Sequence, residues 1–476
     1  MLMRRWKTVP FRWKPFLFFC GVLYLFIALP SYLLDDKVTI SKTEQKQEIA
    51  ADVNIKFTKS YKIERQINPK IIKIKEKIKE NQEKTKETAA FSVQYKGKQL
   101  FIEKLLTHPD AESLKDKTIL DPSLIKQKRK MVSLDGSFNN ANLGGCPDWN
   151  CELVGGHDIS DADVVIMQSK RILNRKPDQL FVYYSQESPK NAPSLGGGEP
   201  FFNMTLGFRH DSPAASPYGY TVKLAEKSRI PPDVPVVDEA MIKGKTKGAA
   251  WYVSHCGTQS RRESLVEALQ KHIQVDIYGG CGTMRCSKGS DCENAIDRDY
   301  HFYMALENSI CEDYITEKLW NQGYRHESVP IVLKRSLVER YVPPNSFIAF
   351  DDYKNVEEMA KHLKKLMEDK TAYLKYFEWK REYAVIYLDG LEHNELERPW
   401  GFCQLCRLAH VLATDPSAAS TIKLLNNKDL AQNWDKSCES DGELAGKILE
   451  NSPAKSGTTK EQKTGILVES EMRVKQ

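Results

Sequence analysis

One stretch near the N-terminus, residues 16–34 (FLFFCGVLYLFIALPSYLL), carries no charged side chain over 19 residues. A helix of this length rises about 1.5 Å per residue and matches a hydrocarbon core of about 30 Å. Basic residues precede the stretch and Asp35 and Asp36 follow it, which predicts a cytosolic N-terminus and a C-terminus across the membrane. Because no small-x-small cleavage site is evident, we expect a retained anchor with a cytoplasmic tail at 1–15 rather than a cleaved signal peptide.

The next stretch, residues 35–130, is polar. Its run KIIKIKEKIKENQEKTKE (70–87) mixes Lys with Glu and has few large apolar residues. Interspersed charges of both signs are typical of a solvated spacer rather than of a basic binding patch. We therefore predict a stem that holds a folded head away from the membrane.

Short apolar runs bounded by turn residues begin near Met131 and continue to about Leu412. DADVVIMQ (161–168) and QLFVYYSQESP (179–189) read as buried strands, and the later runs WYVSHCG (251–257), VDIYGG (275–280), VPIVL (329–333) and SFIAFDD (346–352) do too. Helical patterns such as SLVEALQKH (264–272) and VEEMAKHLKKLMEDK (356–370) lie between the later strands. This alternation predicts an α/β protein with parallel sheets in two domains, at 131–245 and 246–412. We expect residues 413–476, which are polar, to form a flexible tail.

Composition narrows the class of protein. The chain has 476 residues, 28% of them charged and 10% aromatic, and its mean hydropathy is −0.51. These values exclude a polytopic membrane protein and a wholly disordered chain. A net charge of +6 is weak evidence for nucleic-acid binding, and a head across the membrane would not meet nucleic acid.

Cysteine usage fits an oxidising compartment. Of eleven cysteines, Cys20 lies in the predicted span and ten lie beyond it, an even number as a disulfide framework prefers. Cys403 and Cys406 form a CxxC, which in the cytosol would suggest a redox motif or half a zinc site. In a lumenal domain without a second such pair, we expect structural disulfides instead.

The segment HFYMALENSICEDYITEKLWNQGYRHESVPIVLKR (301–335) could carry chemistry. It reads as a strand, a turn at Glu307-Asn308, and a helix beginning near Asp313 or Thr316. A helix N-terminus suits a pyrophosphate, and Lys318 in the first turn would add a full positive charge. We expect Tyr314 and Lys318, four residues apart, to share a helix face.

FYMALENSICEDYITEKLW together with VPIVL closely resembles the donor-site signature of the α1,3-fucosyltransferases, family 10 of the glycosyltransferases. Other blocks match in order over roughly residues 131–412, namely ESPKN (187–191), FNMTLGFRHDSPAASPYGY (202–220), VSHCGTQSRRESLVEAL (253–269), VDIYGGCG (275–282), YVPPNSFIAFDDY (341–353) and FCQLCRLAH (402–410). The resemblance implies two Rossmann-like domains facing across a cleft, of the GT-B type. The N-terminal domain would face the acceptor, and the C-terminal one would bind GDP-fucose. An N-terminal anchor and a stem also fit a single-pass type II Golgi membrane enzyme with a lumenal head.

The resemblance implies roles for the donor side. Arg262 matches an arginine that contacts the donor phosphates, a task that suits a charged, bidentate guanidinium. Tyr314, Glu317 and Lys318 match the YITEK run, in which Lys318 would face phosphate and Glu317 the fucose or ribose hydroxyls. Glu307 and Asn308 match the preceding EN pair.

Glu187, in ESP, matches the proposed catalytic base of the family. It ends a predicted strand beside a Gly-rich loop, as a residue bordering a cleft would. The implied reaction moves L-fucose from GDP-β-L-fucose to a GlcNAc 3-hydroxyl with inversion, and Glu187 would remove the proton of that hydroxyl. Arg262 and Lys318 would stabilise the charge that grows on the diphosphate, so Glu187, Arg262, Glu317 and Lys318 form the expected catalytic group.

The chain departs from the family pattern in three places. His210 stands where many relatives have a second arginine, His255 replaces a more usual asparagine, and Arg261 precedes Arg262 so that either could be the functional arginine. No cluster of metal ligands is evident. We read Asp351-Asp352 as a turn, although a divalent cation (Mn²⁺ or Mg²⁺) could assist the leaving diphosphate.

The acceptor prediction depends on Cys311-Glu312-Asp313. By resemblance, a cysteine at this position is more usual in invertebrate and plant enzymes that modify the innermost, Asn-linked GlcNAc of N-glycans. That core α1,3-fucosylation is the expected activity. Lewis-type transfer to LacNAc or LacdiNAc antennae is the alternative enzyme, and an inactive membrane-anchored glycan-binding protein is the alternative class.

Two covalent features complete the expectations. The family tends to tie its C-terminal cysteine pair to cysteines near the start of the head, which suggests that Cys146 and Cys151 are bonded to Cys403 and Cys406. Connectivity is not settled by sequence. Asn203-Met204-Thr205 is an N-glycosylation sequon, so Asn203 is a predicted glycan site.

Overall fold

Three β-sheets organise the part of the chain that the computed structural model describes. That part is residues 91–451, without 96, 108–116, 118–120, 145, 147–148, 170–173, 196–200, 288–290, 390–395 and 416–426. The predicted span at 16–34, the charged run at 70–87 and the Gly-rich loop after Glu187 lie outside the described residues. Among the helices that are described, none combines the length and apolar character needed to cross a membrane.

The described strands are numbered β1–β14 in chain order. They are β1 Phe91–Tyr95, β2 Lys98–Leu106, β3 Arg129–Ser133, β4 Cys151–Gly155, β5 Val164–Met167, β6 Leu180–Ser185, β7 Met204–Gly207, β8 Gly219–Leu224, β9 Lys247–Tyr252, β10 Val275–Tyr278, β11 Tyr300–Met304, β12 Val329–Val332, β13 Ile348–Ala349 and β14 Tyr383–Tyr387.

The described α-helices are numbered α1–α9. They are α1 Glu239–Gly244, α2 Arg262–Gln270, α3 Asp291–Asp299, α4 Arg335–Val338, α5 Val356–Glu368, α6 Lys370–Leu374, α7 Gly401–Thr414, α8 Asn427–Asp435 and α9 Glu443–Glu450. A π-helix covers Lys318–Gly323, and 3₁₀ turns cover Asn140–Leu143, Glu226–Ser228, Phe350–Asp352 and Lys375–Arg381.

The N-terminal sheet is parallel, with the order β4-β3-β5-β6-β7. Its central strands β5 and β6 fall inside the apolar runs predicted to be strands. All four residues of β5 (VVIM) are buried, as a parallel strand covered on both faces requires. Helix α7 returns from far along the chain to pack against Met131, Leu153 and Val164 of this sheet. Residues 401–412, which we assigned to the second domain, therefore pack with the first.

The C-terminal sheet is also parallel, with the order β10-β9-β11-β12-β13. Helices α2 and α5 cover it because their apolar positions recur at helical spacing, as Leu265, Val266 and Leu269 do in α2. In the N-terminal sheet β4 follows β3 in the chain but lies at the sheet edge, on the side of β3 away from β5. In the C-terminal sheet β10 lies in the same way on the side of β9 away from β11. The strand order therefore reverses between β3 and β5 and between β9 and β11, and such a reversal opens a crevice at the carboxyl ends of the strands. The predicted α/β class with parallel sheets is confirmed.

A third sheet was not predicted. It is antiparallel, in the order β1-β2-β8-β14, and its strands come from distant parts of the chain. Residues 91–106 of the predicted stem thus belong to the folded head, with Val93 and Ile102 buried. β1 and β2 pair with each other across a short turn, but β8, the second partner of β2, lies more than a hundred residues away, so no local signal marked the pairing that joins them to the head.

The prediction of a flexible tail at 413–476 was wrong for residues 427–451, which we call the C-terminal segment. Its two helices, α8 and α9, pack onto the head. Leu430 and Trp434 are four residues apart in α8 and both are buried, as are Leu444, Ala445 and Ile448 in α9. The average polarity of the segment concealed two narrow apolar stripes at helical spacing.

Five disulfides link the ten cysteines beyond the predicted span. Cys146–Cys403 and Cys151–Cys406 confirm the pairing that the resemblance suggested and fasten α7 to the N-terminal sheet. The other three bonds are Cys256–Cys281, Cys286–Cys292 and Cys311–Cys438. The entropic model assigns roughly 4–5 kcal/mol to a loop of about 250 residues, so each of the first two bonds is a strong constraint on the unfolded chain.

Candidate active site

We call the parts of the head built on the N-terminal and C-terminal parallel sheets the N-terminal and C-terminal lobes. Glu187 lies two residues beyond the carboxyl end of β6, in the N-terminal lobe. The side chain of Ser185 shapes the turn, because its Oγ donates to the Glu187 carbonyl at 2.9 Å and the Glu187 amide donates back at 3.1 Å. Glu187 is exposed although β6 itself is buried. The carboxylate therefore stands on a rigid strand end and faces solvent.

Two side chains of the C-terminal lobe meet this carboxylate. The Tyr314 hydroxyl donates to Glu187 Oε2 at 3.0 Å, and Asn308 Nδ2 approaches the same oxygen at 3.5 Å. Next to them Ser309 Oγ donates to Ser188 Oγ at 2.6 Å. The loop after β6 and the loop after β11 are thus in direct contact, and both donors to Glu187 are neutral groups.

Glu307 belongs to a separate ionic cluster a few residues away. Its carboxylate accepts the Thr316 amide at 2.7 Å and the Thr316 hydroxyl at 2.9 Å. Lys318 Nζ lies 3.2 Å from Glu307 and 3.1 Å from Glu317, and it donates to Thr316 Oγ1 at 2.8 Å. The Lys318 ammonium therefore forms ion pairs with two carboxylates at the start of the π-helix.

Burial and charge act against each other in this cluster. Burial raises the pKa of Glu307, and the opposing charge of Lys318 only partly offsets it. Burial also pushes up the pKa of Glu317, but the charge and hydrogen bond of Lys318 outweigh it and leave that pKa lowered. For Lys318 burial favours the neutral amine, yet the two carboxylates raise its pKa on balance. Lys318 therefore stays an ammonium at neutral pH.

Tyr314 stays protonated for similar reasons. Burial raises the pKa of its hydroxyl, and the negative charges of Glu307 and Glu187 raise it further. A phenol held in its neutral form is a hydrogen-bond donor, so its contact with Glu187 has a fixed direction.

The helix after the EN turn begins later than predicted. Asp313 adopts φ of +62°, a left-handed conformation that interrupts a helix, and the π-helix starts only at Lys318. Tyr314 consequently precedes the helix, and the expectation that Tyr314 and Lys318 share a helix face was wrong. The tyrosine points to Glu187 and the lysine to Glu307 and Glu317.

The resemblance implied that the Arg262 side chain contacts the donor phosphates, but the structure does not leave this side chain open to a ligand. It is 1% exposed, and its guanidinium donates to the carbonyls of Leu306 at 2.5 Å and His255 at 2.7 Å. It holds the end of β11 to the loop after β9, while its positive charge still acts on Lys318. Of the two adjacent arginines, Arg261 is the exposed one, with φ of +53°.

His210, which stands where many relatives have an arginine, lies where the two lobes meet. Its ring stacks on Tyr341 with 4.3 Å between the ring centres, and its backbone amide donates to the buried carboxylate of Asp313 at 3.0 Å. The neighbouring Arg209 forms ion pairs with Asp211 at 2.7 Å and Glu312 at 3.2 Å. These residues fix the loop that leads into Tyr314.

A cavity of about 280 Å³ has Gln186, the residue before Glu187, in its wall, while Glu187 itself is not one of the lining residues. Tyr218 also lines it, and the Tyr218 hydroxyl donates to the Gln186 carbonyl at 2.8 Å. Five aromatic residues contribute to the remaining wall, Phe138, Tyr184, Tyr387, Trp400 and Phe402, together with polar residues that include Asn142, Asp389 and Glu397. Flat rings with polar edges suit a ligand that has both apolar faces and hydroxyl groups.

Cys311, on which the acceptor prediction rested, is 1% exposed and bonded to Cys438. Its sulfur therefore cannot touch an acceptor directly. The residue acts on the site through the position of the loop that holds Asp313 and Tyr314.

The Asp351-Asp352 pair, which could be considered for a cation, is already bonded to Arg335. Arg335 binds the Asp352 carboxylate through Nε and Nη2 at 2.6 Å each, and its amide donates to Asp351 at 2.8 Å. The structure also places His410 beside Cys151 and Cys406, but those two sulfurs form a disulfide.

Asn203 immediately precedes β7, and its amide is engaged within the fold. Its Oδ1 accepts Arg175 Nη2 at 2.6 Å and the Phe181 amide at 2.8 Å, and Thr205 of the sequon is buried. Attachment of a glycan here stays a prediction.

Some residues of the site were not identified from sequence. Thr316 bridges Glu307 and Lys318, and its place inside the YITEK run was the available signal. Ser188, Ser309 and Tyr218 also lie inside matching blocks, but which atoms they contact was not readable there, because Ser309 bonds to Ser188 and Tyr218 to Gln186 from distant loops.

Comparison with known families identifies two regions. Residues 242–427 match "Glycosyltransferase family 10 (fucosyltransferase) C-term", and residues 126–219 match "Fucosyltransferase, N-terminal". The two matches contain the parallel sheets and both loops of the site. The C-terminal segment lies almost wholly beyond them.

Individual relatives agree with this assignment. The chain is 45% identical over 461 residues to alpha-(1,3)-fucosyltransferase fut-1 of Caenorhabditis elegans, which covers 94% of this chain and 99% of that protein. It is 31% identical to alpha-(1,3)-fucosyltransferase C of Drosophila melanogaster, over 62% of this chain and 71% of that one. A crystal structure of an α1,3-fucosyltransferase with GDP-fucose aligns with a TM-score of 0.41 and 17% identity, covering 63% of this chain and 94% of its own.

Proposed function

This α1,3-fucosyltransferase belongs to glycosyltransferase family 10, and we propose that it transfers L-fucose from GDP-β-L-fucose to the innermost GlcNAc of N-glycans. The supporting observation is the pairing, across the two lobes, of an exposed carboxylate on neutral donors with a partly buried ammonium cluster. The first can accept a proton, and the second can accept negative charge.

Glu187 is the general base of the proposed reaction. The 3-hydroxyl of the acceptor gives its proton to Glu187 while its oxygen forms a bond to the anomeric carbon of fucose. The bond from that carbon to the diphosphate oxygen breaks on the opposite face, and its electron pair leaves with GDP. In-line attack of this kind inverts the β-linked donor to an α-linked product.

The donor diphosphate would bind on the side of Lys318. This ammonium keeps its charge at neutral pH and lies at the carboxyl ends of the strands, beside the β9–β11 reversal where ligands of such sheets bind. Arg262 lies behind Lys318 and holds the loop, since its guanidinium donates to two backbone carbonyls and is paired with Glu263 at 3.4 Å. Glu317, about one third exposed, can reach sugar hydroxyls with its second oxygen.

A divalent cation is not needed to place these groups. The carboxylates of Glu307 and Glu317 are ion-paired with Lys318, and those of Asp351 and Asp352 are bonded to Arg335, so the described site offers no vacant carboxylate pair. We assign no step to a metal.

The acceptor would enter the aromatic cavity beside Glu187. Its aromatic side chains can cover the faces of sugar residues, and Gln186 in its wall directly precedes Glu187 in the chain. The choice of the innermost GlcNAc is supported by the resemblance at Cys311-Glu312-Asp313. Antennal LacNAc or LacdiNAc is the second candidate acceptor.

Location in the Golgi membrane, with a type II anchor at 16–34 and a lumenal head, is part of the proposal. The five disulfides of the described residues support an oxidising compartment.

The test incubates the full chain in detergent micelles with GDP-fucose and two acceptors, a paucimannose N-glycopeptide and a LacdiNAc-terminated N-glycopeptide. We expect fragment-ion mass spectrometry to find fucose on the Asn-linked GlcNAc of the first. Fucose found only on the antenna of the second would replace the core acceptor by the antennal one. Binding of GDP-fucose without transfer to either would indicate a glycan-binding protein without activity.

A further inference from the structure

The C-terminal segment contacts both sides of the candidate site. From α8, the Trp434 ring packs on Tyr183 of β6, with 5.7 Å between ring centres, and on Phe208 at 5.4 Å. Strand β6 is the one that leads into Glu187. The segment therefore packs on the support of the proposed base although it lies beyond the family match.

Phe208 transmits the contact to the second side. Its ring meets the Tyr314 ring edge-to-face, with 4.9 Å between centres, and the Tyr314 hydroxyl donates to Glu187 at 3.0 Å. Trp434, Phe208 and Tyr314 thus form a continuous column of rings that ends at the carboxylate.

The same segment is fastened to the loop that carries Tyr314. Cys438 is bonded to Cys311, the Glu312 amide donates to the Ser437 carbonyl at 2.8 Å, and the Glu439 amide donates to the Ile310 carbonyl at 2.8 Å. This short antiparallel bridge lies next to Asp313, whose left-handed backbone turns the chain toward Tyr314. A shift of α8 would therefore move the ring column and the loop together.

We propose that Trp434 is a positioning residue for the Tyr314–Glu187 pair, so that the C-terminal segment completes the active site. The proposal deepens the proposed function and rests on it. The physical reason is geometric: a proton acceptor must lie within hydrogen-bond reach of the hydroxyl, and a displacement of about 1 Å can cost about 100-fold in rate.

The indole of Trp434 acts through its ring rather than its N–H. The side chain is 3% exposed, and among the described residues its Nε1 has no hydrogen-bond partner. Trp434→Phe keeps an aromatic ring in the column and removes the unsatisfied donor, whereas Trp434→Ala removes the ring. The two substitutions therefore separate positioning from hydrogen bonding.

The matched control is Leu444→Ala in α9 of the same segment. Leu444 is buried against the core of the C-terminal lobe and has no contact with the ring column. This substitution measures how loosening the C-terminal segment changes activity while the ring column stays intact.

The experiment compares the four full-length proteins, wild type, Trp434→Ala, Trp434→Phe and Leu444→Ala. GDP binding by calorimetry counts the folded molecules, thermal unfolding gives stability, and kcat and KM are measured with the acceptor that the wild type uses. We expect Trp434→Ala to lower kcat about 10- to 100-fold per GDP-binding molecule, with KM for GDP-fucose unchanged. Trp434→Phe should stay within about threefold of wild type, and Leu444→Ala within about twofold even if its Tm falls.

Three results would overturn the proposal. They are an unchanged kcat in Trp434→Ala, an equal loss in Leu444→Ala, and a loss in Trp434→Phe as large as in Trp434→Ala. Inactive wild-type protein that still binds GDP would instead refute the proposed function, so the two failures are distinguishable.

Discussion

The loop after β6 and the loop after β11 each present a glutamate to the same site, and the two are surrounded differently. Glu187 is exposed and takes hydrogen bonds from a phenol and an amide. Glu307 is largely covered, and it is bonded to Thr316 and ion-paired with Lys318. Glu187 is held in place by uncharged donors, whereas Glu307 is paired with a cation.

The surroundings of the two acids, rather than their residue type, separate their roles in one site. A base must be able to accept a proton from substrate, so it needs an accessible oxygen. A carboxylate paired with an ammonium serves instead to fix that ammonium. Glu307 is accordingly a support for Lys318, and the surroundings of Glu187 fit the base that we propose.

Replacing the exposed acid should have the largest effect. Glu187→Gln keeps an oxygen for the Tyr314 hydroxyl but removes the proton acceptor, so kcat should fall about 10³-fold. GDP binding by calorimetry should be unchanged because Lys318 and its partners are untouched. Turnover at the wild-type rate would refute the assignment of the base.

Removing the cation should come next. Lys318→Met leaves two carboxylates facing the donor without a counter-charge, so we expect a loss of about 10²- to 10³-fold in kcat/KM together with weaker GDP binding. Lys380→Met is the matched control, because Lys380 lies 3.2 Å from Glu327 and is about as exposed as Lys318, but lies in the 3₁₀ turn at 375–381 away from the site. If both variants lose activity equally, loss of any such ion pair explains the result and the donor role of Lys318 fails.

Neutralising the covered acid should have the smallest effect of the three. Glu307→Gln retains an acceptor for the Thr316 amide but loses the ion pair with Lys318, and kcat/KM should drop about tenfold as the lysine loosens. Steady-state kinetics beside Glu187→Gln makes the contrast direct. A thousandfold fall in kcat with GDP binding intact would exchange the roles of the two glutamates.

Much of the fold was readable from sequence because its signals are local. Buried parallel strands such as β5 and β12 are short apolar runs, and the helix Val356–Glu368 shows its apolar stripe within thirteen residues. The antiparallel sheet and the C-terminal segment were missed for the opposite reason. β2 pairs with β8, more than a hundred residues away, and Trp434 packs on residues more than two hundred positions earlier.

The site shows the same division. Resemblance identified Glu187, Glu307, Asn308, Tyr314, Glu317 and Lys318, and the structure brings them together. The resemblance could not show that Arg262 is buried with its guanidinium on backbone carbonyls, or that Asp313 interrupts the helix. Both depend on how the loops after β9 and β11 pack.

The parallel α/β class, the family and the candidate site residues follow from the sequence, since apolar periodicity and a long gapless motif are properties of neighbouring residues. The tertiary structure shows which carboxylate is open and which is paired. It also decided that Cys311 is bonded to Cys438 and that residues 427–451 close on the site. Exposure, ion pairing and packing depend on distances between segments far apart in the chain, and a linear pattern does not contain those distances.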